Sequence, residues 1–192
     1  MATYYTLEKD NSAVFFRDCF KYFFKSFLFM DLHKLLEKVK KSKEYDSSYY
    51  LTHFFVMFDQ NLKQVDDSQI GFYSKEKDMI KAMSIGDKDG KIVSKESEAL
   101  KRKENIIKEL NLEEVKIDIN EAIKKIVQCL RNNYMSEVPI KAFVVLQNLD
   151  DYKFPIWNFT FVTNTFKTLN IKINAEDGKI VHHGVIEIYK HM

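Results

Sequence analysis

The histidines are the residues of this chain whose chemistry would be most informative, because an imidazole can bind a metal ion or move a proton near neutral pH. His182 and His183 are adjacent, and His191 lies near the end of the sequence. Adjacent residues of a strand point to opposite faces, so His182 and His183 cannot easily share one ion. We therefore predict no metal site, and we interpret His33 and His53 as satisfied or half-buried imidazoles.

No other set of residues forms a catalytic or cofactor-binding pattern. Cys19 and Cys129 are far apart and lack the spacing of a zinc site. The acidic pairs Asp66-Asp67 and Asp150-Asp151 are explained by turns. The chain contains no HExxH, GxSxG, Walker or GxGxxG pattern. It has only five glycines, which makes a glycine-rich phosphate-binding loop unexpected. We expect no cofactor and no enzymatic activity.

The composition is that of a globular protein without a strong electrostatic signature. The 192 residues include 30 basic and 28 acidic side chains, a net charge of +2, and 45% are apolar. This balance does not favour nucleic acid as a partner. The first ten residues lack a basic segment followed by an apolar run, so we expect no signal peptide and a cytoplasmic protein.

A short segment occurs twice and suggests a duplication. Asp89 to Val93 and Asp177 to Val181 both read Asp-Gly-Lys-Ile-Val. The segments that precede the two copies also correspond, each with a helical pattern followed by an apolar strand. These pairs are residues 31–43 with 118–133, and 55–58 with 143–146. The pattern predicts two copies of one unit that ends in a hairpin closed by Asp-Gly.

We therefore predict an α+β fold of two tandem units, each a helix packed on a three- to four-stranded antiparallel sheet. The first unit spans residues 31–94 and the second residues 116–192. A charged helix over residues 95–115 connects them. An aromatic-rich helix over residues 1–30 precedes them.

The N-terminal helix has an apolar circumference interrupted by one narrow basic stripe, which Arg17, Lys21 and Lys25 form. It is interpreted first as a core helix that covers the second face of the strand around residues 49–59. A membrane-surface anchor is an alternative. A homodimer seam is another, and it would use Phe16, Phe20, Phe23 and Phe27. Charges interrupt every apolar run, so the segment is too short to span a membrane.

The strands of the second unit alternate in polarity. Trp157, Phe159 and Phe161 alternate with Asn158 and Thr160, and the next strand carries Asn170 and Lys172 between aliphatic residues. If the aromatic row faces the helix, then Asn158, Thr160, Asn170 and Lys172 form an open sheet face where a protein or peptide would bind. If the aromatic row is exposed instead, Trp157 belongs to the binding surface.

The second unit resembles the PepSY domain. The residues that carry the resemblance are Asn120-Glu121-Ala122, which open the helix, and residues 171–181, a strand followed by an acidic-small-acidic turn, Gly-Lys and a β-branched pair. The resemblance covers residues 116–184 and, less closely, 31–94. It implies a non-catalytic module that binds or restrains a partner, often a peptidase or a membrane-associated protein.

The functional hypothesis from the sequence is a non-catalytic binding or regulatory module for a protein or peptide partner. The alternative is a protein that holds a small apolar ligand between the helix and a curved sheet. Cystatin-like and nuclear-transport-like folds have such concavities, and some of those proteins are isomerases.

Overall fold

A computed structural model describes residues 31–59, 64–65, 67–86, 90–99 and 107–187. These residues form two α-helices, one short 3-10 helix (Leu112–Glu114) and eight strands. The helices are α1 (Leu32–Lys40) and α2 (Ile119–Asn133). The strands are β1 (Tyr50–Phe58), β2 (Ser68–Ser74), β3 (Met79–Ile85), β4 (Ile92–Glu98), β5 (Pro139–Gln147), β6 (Ile156–Thr163), β7 (Lys167–Asn174) and β8 (Ile180–Glu187). The predicted helix over residues 1–30, with its phenylalanines, lies outside the described residues.

All eight strands belong to one antiparallel sheet, in the order β4-β3-β2-β1-β5-β6-β7-β8. The two central strands, β1 and β5, pair from His53 opposite Gln147 to Phe58 opposite Ala142. The prediction of two tandem helix-on-sheet units was therefore wrong, and the duplication inferred from the repeated Asp-Gly segment does not appear as separate units. A strand edge left open between two such units would expose unpaired backbone groups, and the pairing of β1 with β5 satisfies them.

Each α-helix begins at an aspartate that caps it. The carboxylate of Asp31 accepts a hydrogen bond from the backbone N–H of Lys34 at 3.1 Å, and that of Asp118 accepts one from Glu121 at 2.8 Å. These bonds satisfy N–H groups that lack a partner in the first turn. In α2 an apolar stripe that includes Ile119, Ala122 and Ile126 is buried. The caps and the stripe together fix where each helix starts and which side meets the sheet.

The helices lie on one face of the sheet, which we call the helix-covered face. Its core residues alternate along the strands with side chains of the opposite face, which neither of the two described α-helices covers and which we call the open face. The core contains Phe54, Val56 and Phe58 of β1, Ala142, Val144 and Leu146 of β5, Trp157, Phe159 and Phe161 of β6, and Leu169, Ile171 and Ile173 of β7, together with the apolar stripes of both helices.

The prediction of a connecting helix over residues 95–115 was wrong. The structure describes the two ends of this range, and neither end forms an α-helix. Residues 95–98 complete β4, where Glu96 pairs across the sheet with Lys81 at 3.0 Å, and residues 112–114 form only a 3-10 turn. The cross-strand ion pair with Lys81 accounts for the charge of Glu96 on a strand. Residues 100–106 lie outside the described residues.

Candidate binding surface

The polar row that the sequence singled out lies on the open face, across β6 and β7. Asn158 is paired with Lys172, and Thr160 with Asn170. The side-chain amide nitrogen of Asn170 lies 2.7 Å from Asn158 Oδ1 and 3.0 Å from Thr160 Oγ1, and also donates to the carbonyl of Phe159 at 3.2 Å. These bonds hold three side chains of the row in one arrangement. The structure therefore brings the four predicted polar residues together.

An apolar patch lies beside this row in the centre of the open face. It consists of Phe55 and Met57 of β1 and Phe143 and Val145 of β5, which face each other across the β1–β5 pair. The rings of Phe55 and Phe143 stack with centroids 6.5 Å apart. All four side chains are half-buried, and none belongs to the core cluster under the helices. The patch explains why both central strands are apolar on both faces.

The charged side chains that the described strands place on the open face are all basic. By register, Lys95 of β4, Lys141 of β5 and Lys172 of β7 project from it, whereas Glu96 and Glu98 of β4 project from the other face. Lys141 Nζ lies 5.3 Å from the centroid of the Phe143 ring. No strand in the described ranges places a carboxylate on the open face. A chain of nearly neutral net charge thus presents one basic sheet face.

A β-bulge places a histidine at the edge of the patch. The pairing of β1 with β2 shifts between Leu51 and His53, so that Thr52 is the extra residue. Thr52 Oγ1 lies 2.9 Å from His53 Nδ1 and donates to the carbonyl of Gly71 at 3.0 Å. Burial lowers the pKa of His53 below its ordinary value, which favours the neutral imidazole. Sequence reasoning treated His53 as a half-buried imidazole and gave it no place in a site.

Trp157 does not belong to the open face. Its side chain is 2% exposed and lies in the core under the helices, and its Nε1 donates to the carbonyl of Ile117 at 2.8 Å. Of the five candidate binding residues, Trp157 is therefore separated from the other four by the thickness of the sheet. It anchors the segment that leads into α2 and is not available to a partner on the open face.

The remaining candidates for chemistry are dispersed. His182 projects from the open face, while His183 lies on the helix-covered face, where its Nδ1 is 2.6 Å from the hydroxyl of Tyr134. In the described part of the chain no group of three or more histidines, cysteines or acidic residues could hold a metal ion. Burial raises the pKa of the Cys129 thiol, which keeps it protonated.

Neither α-helix of the described ranges has the length and apolar character needed to cross a membrane.

Comparison with known proteins gives a similar fold and no family. No protein-family model and no curated protein matches the chain. A solved structure described as a "putative lipoprotein" from Clostridium difficile 630 is similar, with a TM-score of 0.52 over 81% of this chain and 90% of that one, at 10% sequence identity. At that identity the likeness concerns the fold alone.

Proposed function

We propose that this protein is a non-catalytic binding module whose open sheet face binds a protein or peptide partner with an acidic surface. The observation that carries the proposal is the composition of that face. An apolar centre of stacked Phe55 and Phe143 is bordered by a hydrogen-bonded amide and hydroxyl row and by lysines. Protein interfaces have the same organisation, an apolar core with a polar rim.

The charge of the open face supports an acidic partner. Lys141 and Lys172 border the apolar patch, and the described strands place no carboxylate beside them. Complementary charge accelerates association and excludes partners of the wrong sign.

The space between helices and sheet gives no support to the apolar-ligand alternative. The cavity between α1, α2 and the central strands, lined by Leu35, Val144 and Trp157 among others, has a volume of about 10 Å³. That volume is about the least that holds one water molecule, and small-molecule sites are many times larger. The larger clefts, at the N-termini of the helices and below α1, are open grooves that charged and polar residues line together with apolar ones such as Leu32, Leu36 and Phe72.

The test is quantitative capture of partners by the full-length protein and by variants of the open face. Thr160→Arg places a long cation in the polar row, and Lys172→Glu reverses the charge beside it. We expect a partner retained by the wild type to be lost from both variants, at least tenfold, and to be released by salt. Lys124→Glu is the matched control, because Lys124 is exposed on α2 on the opposite side of the sheet.

The proposal fails if Thr160→Arg and Lys172→Glu retain the same proteins as the wild type. It also fails if Lys124→Glu loses them equally, since the helical side would then make the contact. Circular dichroism and melting temperature of each variant must match the wild type, so that a loss of binding is not a loss of fold.

A further inference from the structure

Exposed apolar side chains of the described residues gather at one end of the sheet. Seven large apolar residues are exposed, and six of them lie at the end where β1, β6 and β8 finish. Four of the six come from the β5–β8 half: Met135, Ile140, Phe166 and Ile186. We call these four the apolar tip. The seventh, Ile180, lies at the opposite end, where β8 begins.

Phe166 is held in an unfavourable backbone conformation at the apolar tip. It lies in the turn between β6 and β7 with φ of +56°, a region that residues other than glycine adopt rarely, and its side chain is 60% exposed. Such strain costs about 1 kcal/mol or more and persists only where the surrounding structure imposes it. The turn thus presents a large aromatic ring to solvent at an energetic cost.

A buried carboxylate fixes this turn against the loop after α2. Glu137 accepts hydrogen bonds from the hydroxyls of Thr163, at 2.9 Å, and Thr165, and forms an ion pair with Lys167 at 2.9 Å. These contacts connect the loop that carries Met135 to the turn that carries Phe166. The two side chains therefore belong to one rigid structure, and the charge of Glu137 is neutralised within it.

The backbone of the turn is satisfied from inside the protein. The N–H of Asn164 donates to the carbonyl of Val138 at 2.9 Å, and the N–H of Val138 donates to Asn164 Oδ1 at 3.1 Å. The N–H of Phe166 donates to Thr163 at 3.0 Å, and that of Lys167 to Thr163 Oγ1 at 3.3 Å. Pairing of these three N–H groups of the turn lowers the cost of moving it out of water, because fewer backbone groups remain unpaired.

We propose that the apolar tip docks onto an anionic lipid bilayer, with Phe166 and Met135 entering the headgroup region. Met135 and Phe166, each carried singly on a loop beside the strand residues Ile140 and Ile186, fit a fluid interface, whereas protein interfaces are built around a contiguous, well-packed centre. Arg131, in the last turn of α2, and Lys141, next to Ile140, supply positive charge beside the tip. Basic residues adjacent to inserted apolar side chains favour anionic lipids.

The decisive variant is Phe166→Gly in the full-length protein. Glycine accepts the positive φ without strain, so the variant should be as stable as the wild type or more stable. Removing the aromatic side chain should weaken binding to vesicles of phosphatidylcholine and phosphatidylglycerol about tenfold, as measured by co-sedimentation. Arg131→Gln should weaken binding to these vesicles about fivefold and leave any binding to pure phosphatidylcholine unchanged.

Ile180→Ser is the matched control, because it removes an exposed apolar side chain from the opposite end of the sheet and should leave vesicle binding unchanged. The proposal is overturned if the wild type does not bind anionic vesicles. It is also overturned if Phe166→Gly binds as tightly as the wild type, which would place the contact elsewhere, including residues 1–30. These substitutions leave the open face unchanged. If Phe166→Gly still captures the partner of the open face, a negative vesicle result therefore counts against the lipid proposal and not against the proposed function.

Discussion

The imidazole of His53 occupies the space where a side chain on Gly71 would lie. A Cβ atom built on Gly71 would be 1.9 Å from His53 Cε1 and 2.4 Å from both ring nitrogens. The glycine and the histidine face each other across β1 and β2, next to the bulge at Thr52. The absence of a side chain at residue 71 is therefore a packing requirement of the open face.

Gly71→Ala should destabilise the protein by about 1–3 kcal/mol, because the added methyl group must displace the His53 ring. Chemical denaturation of the full-length protein measures the effect. Gly184→Ala is the control on the same face, since its Cβ would lie 3.8 Å from the nearest heavy atom, part of His182, and should change stability by less than about 0.5 kcal/mol. Equal effects of the two substitutions would show that the ring moves away freely.

His53 should make the protein less stable in mild acid. Burial lowers its pKa in the folded state below the ordinary value of 6.5, so the unfolded chain binds the proton more readily. The free energy of unfolding should therefore fall as the pH drops below about 6.5. The fall should be smaller in His53→Gln, which cannot take up the proton. Denaturation curves at about pH 7 and pH 5 measure the difference, and parallel losses in both proteins would contradict it.

Glu137→Ala should cost about 2 kcal/mol or more, because it leaves two threonine hydroxyls and Lys167 without their acceptor. Glu37→Ala is the control: its ion pair with Lys41 is 3.9 Å long and exposed, and its loss should cost less than about 0.5 kcal/mol. Burial alone would raise the pKa of Glu137, but the hydrogen bonds from Thr165, Lys167 and Thr163 outweigh it and lower the pKa below 4.5. The stabilisation is thus present above that pH and is lost on acidification, so the difference between wild type and Glu137→Ala should shrink in acid.

Trp157 should report the integrity of the core. It is the only tryptophan, and it is 2% exposed with its Nε1 hydrogen-bonded to Ile117. Its emission should be blue-shifted relative to free tryptophan amide and resistant to acrylamide, and both properties should disappear on unfolding. Ready quenching in the native protein would mean that the segment before α2 opens in solution.

Local signals in the sequence were sufficient to divide the residues of β6 and β7 between an apolar side and a polar side, but not to decide which side the helices cover. Strict alternation of apolar and polar residues around Phe159 and Ile171 separates the two sides of each strand, because the side-chain period of a strand is two. The helical pattern over residues 118–133 was similarly readable, and α2 does begin there, with Asp118 as its cap. These features depend on neighbours in the chain and need no tertiary contact.

The joining of the strands into one sheet was not predictable in the same way. Residues apolar on both faces, such as Phe54 and Phe55, indicate burial of a strand but do not name its neighbour, and β5 was assigned to a separate unit. Gly71 inside a strand was a usable signal, because such glycines often mark a bulge or a close approach. No signal in the sequence indicated the exposed Phe166, because a phenylalanine is not expected at a position with positive φ.

The pairing of β1 with β5 has a consequence for the order of folding. Six of the seven strand pairs join strands that follow each other in the chain. The seventh, in which Phe54 lies opposite Leu146, joins β1 to β5, and β2, β3 and β4 lie between these two strands in the sequence. The hairpins can form early, and closing the central pair carries the largest entropy cost. Until it closes, two apolar strands have open edges. At high concentration the β1 of one molecule can then meet the β5 of another, giving an exchanged dimer that retains every strand pair of the monomer.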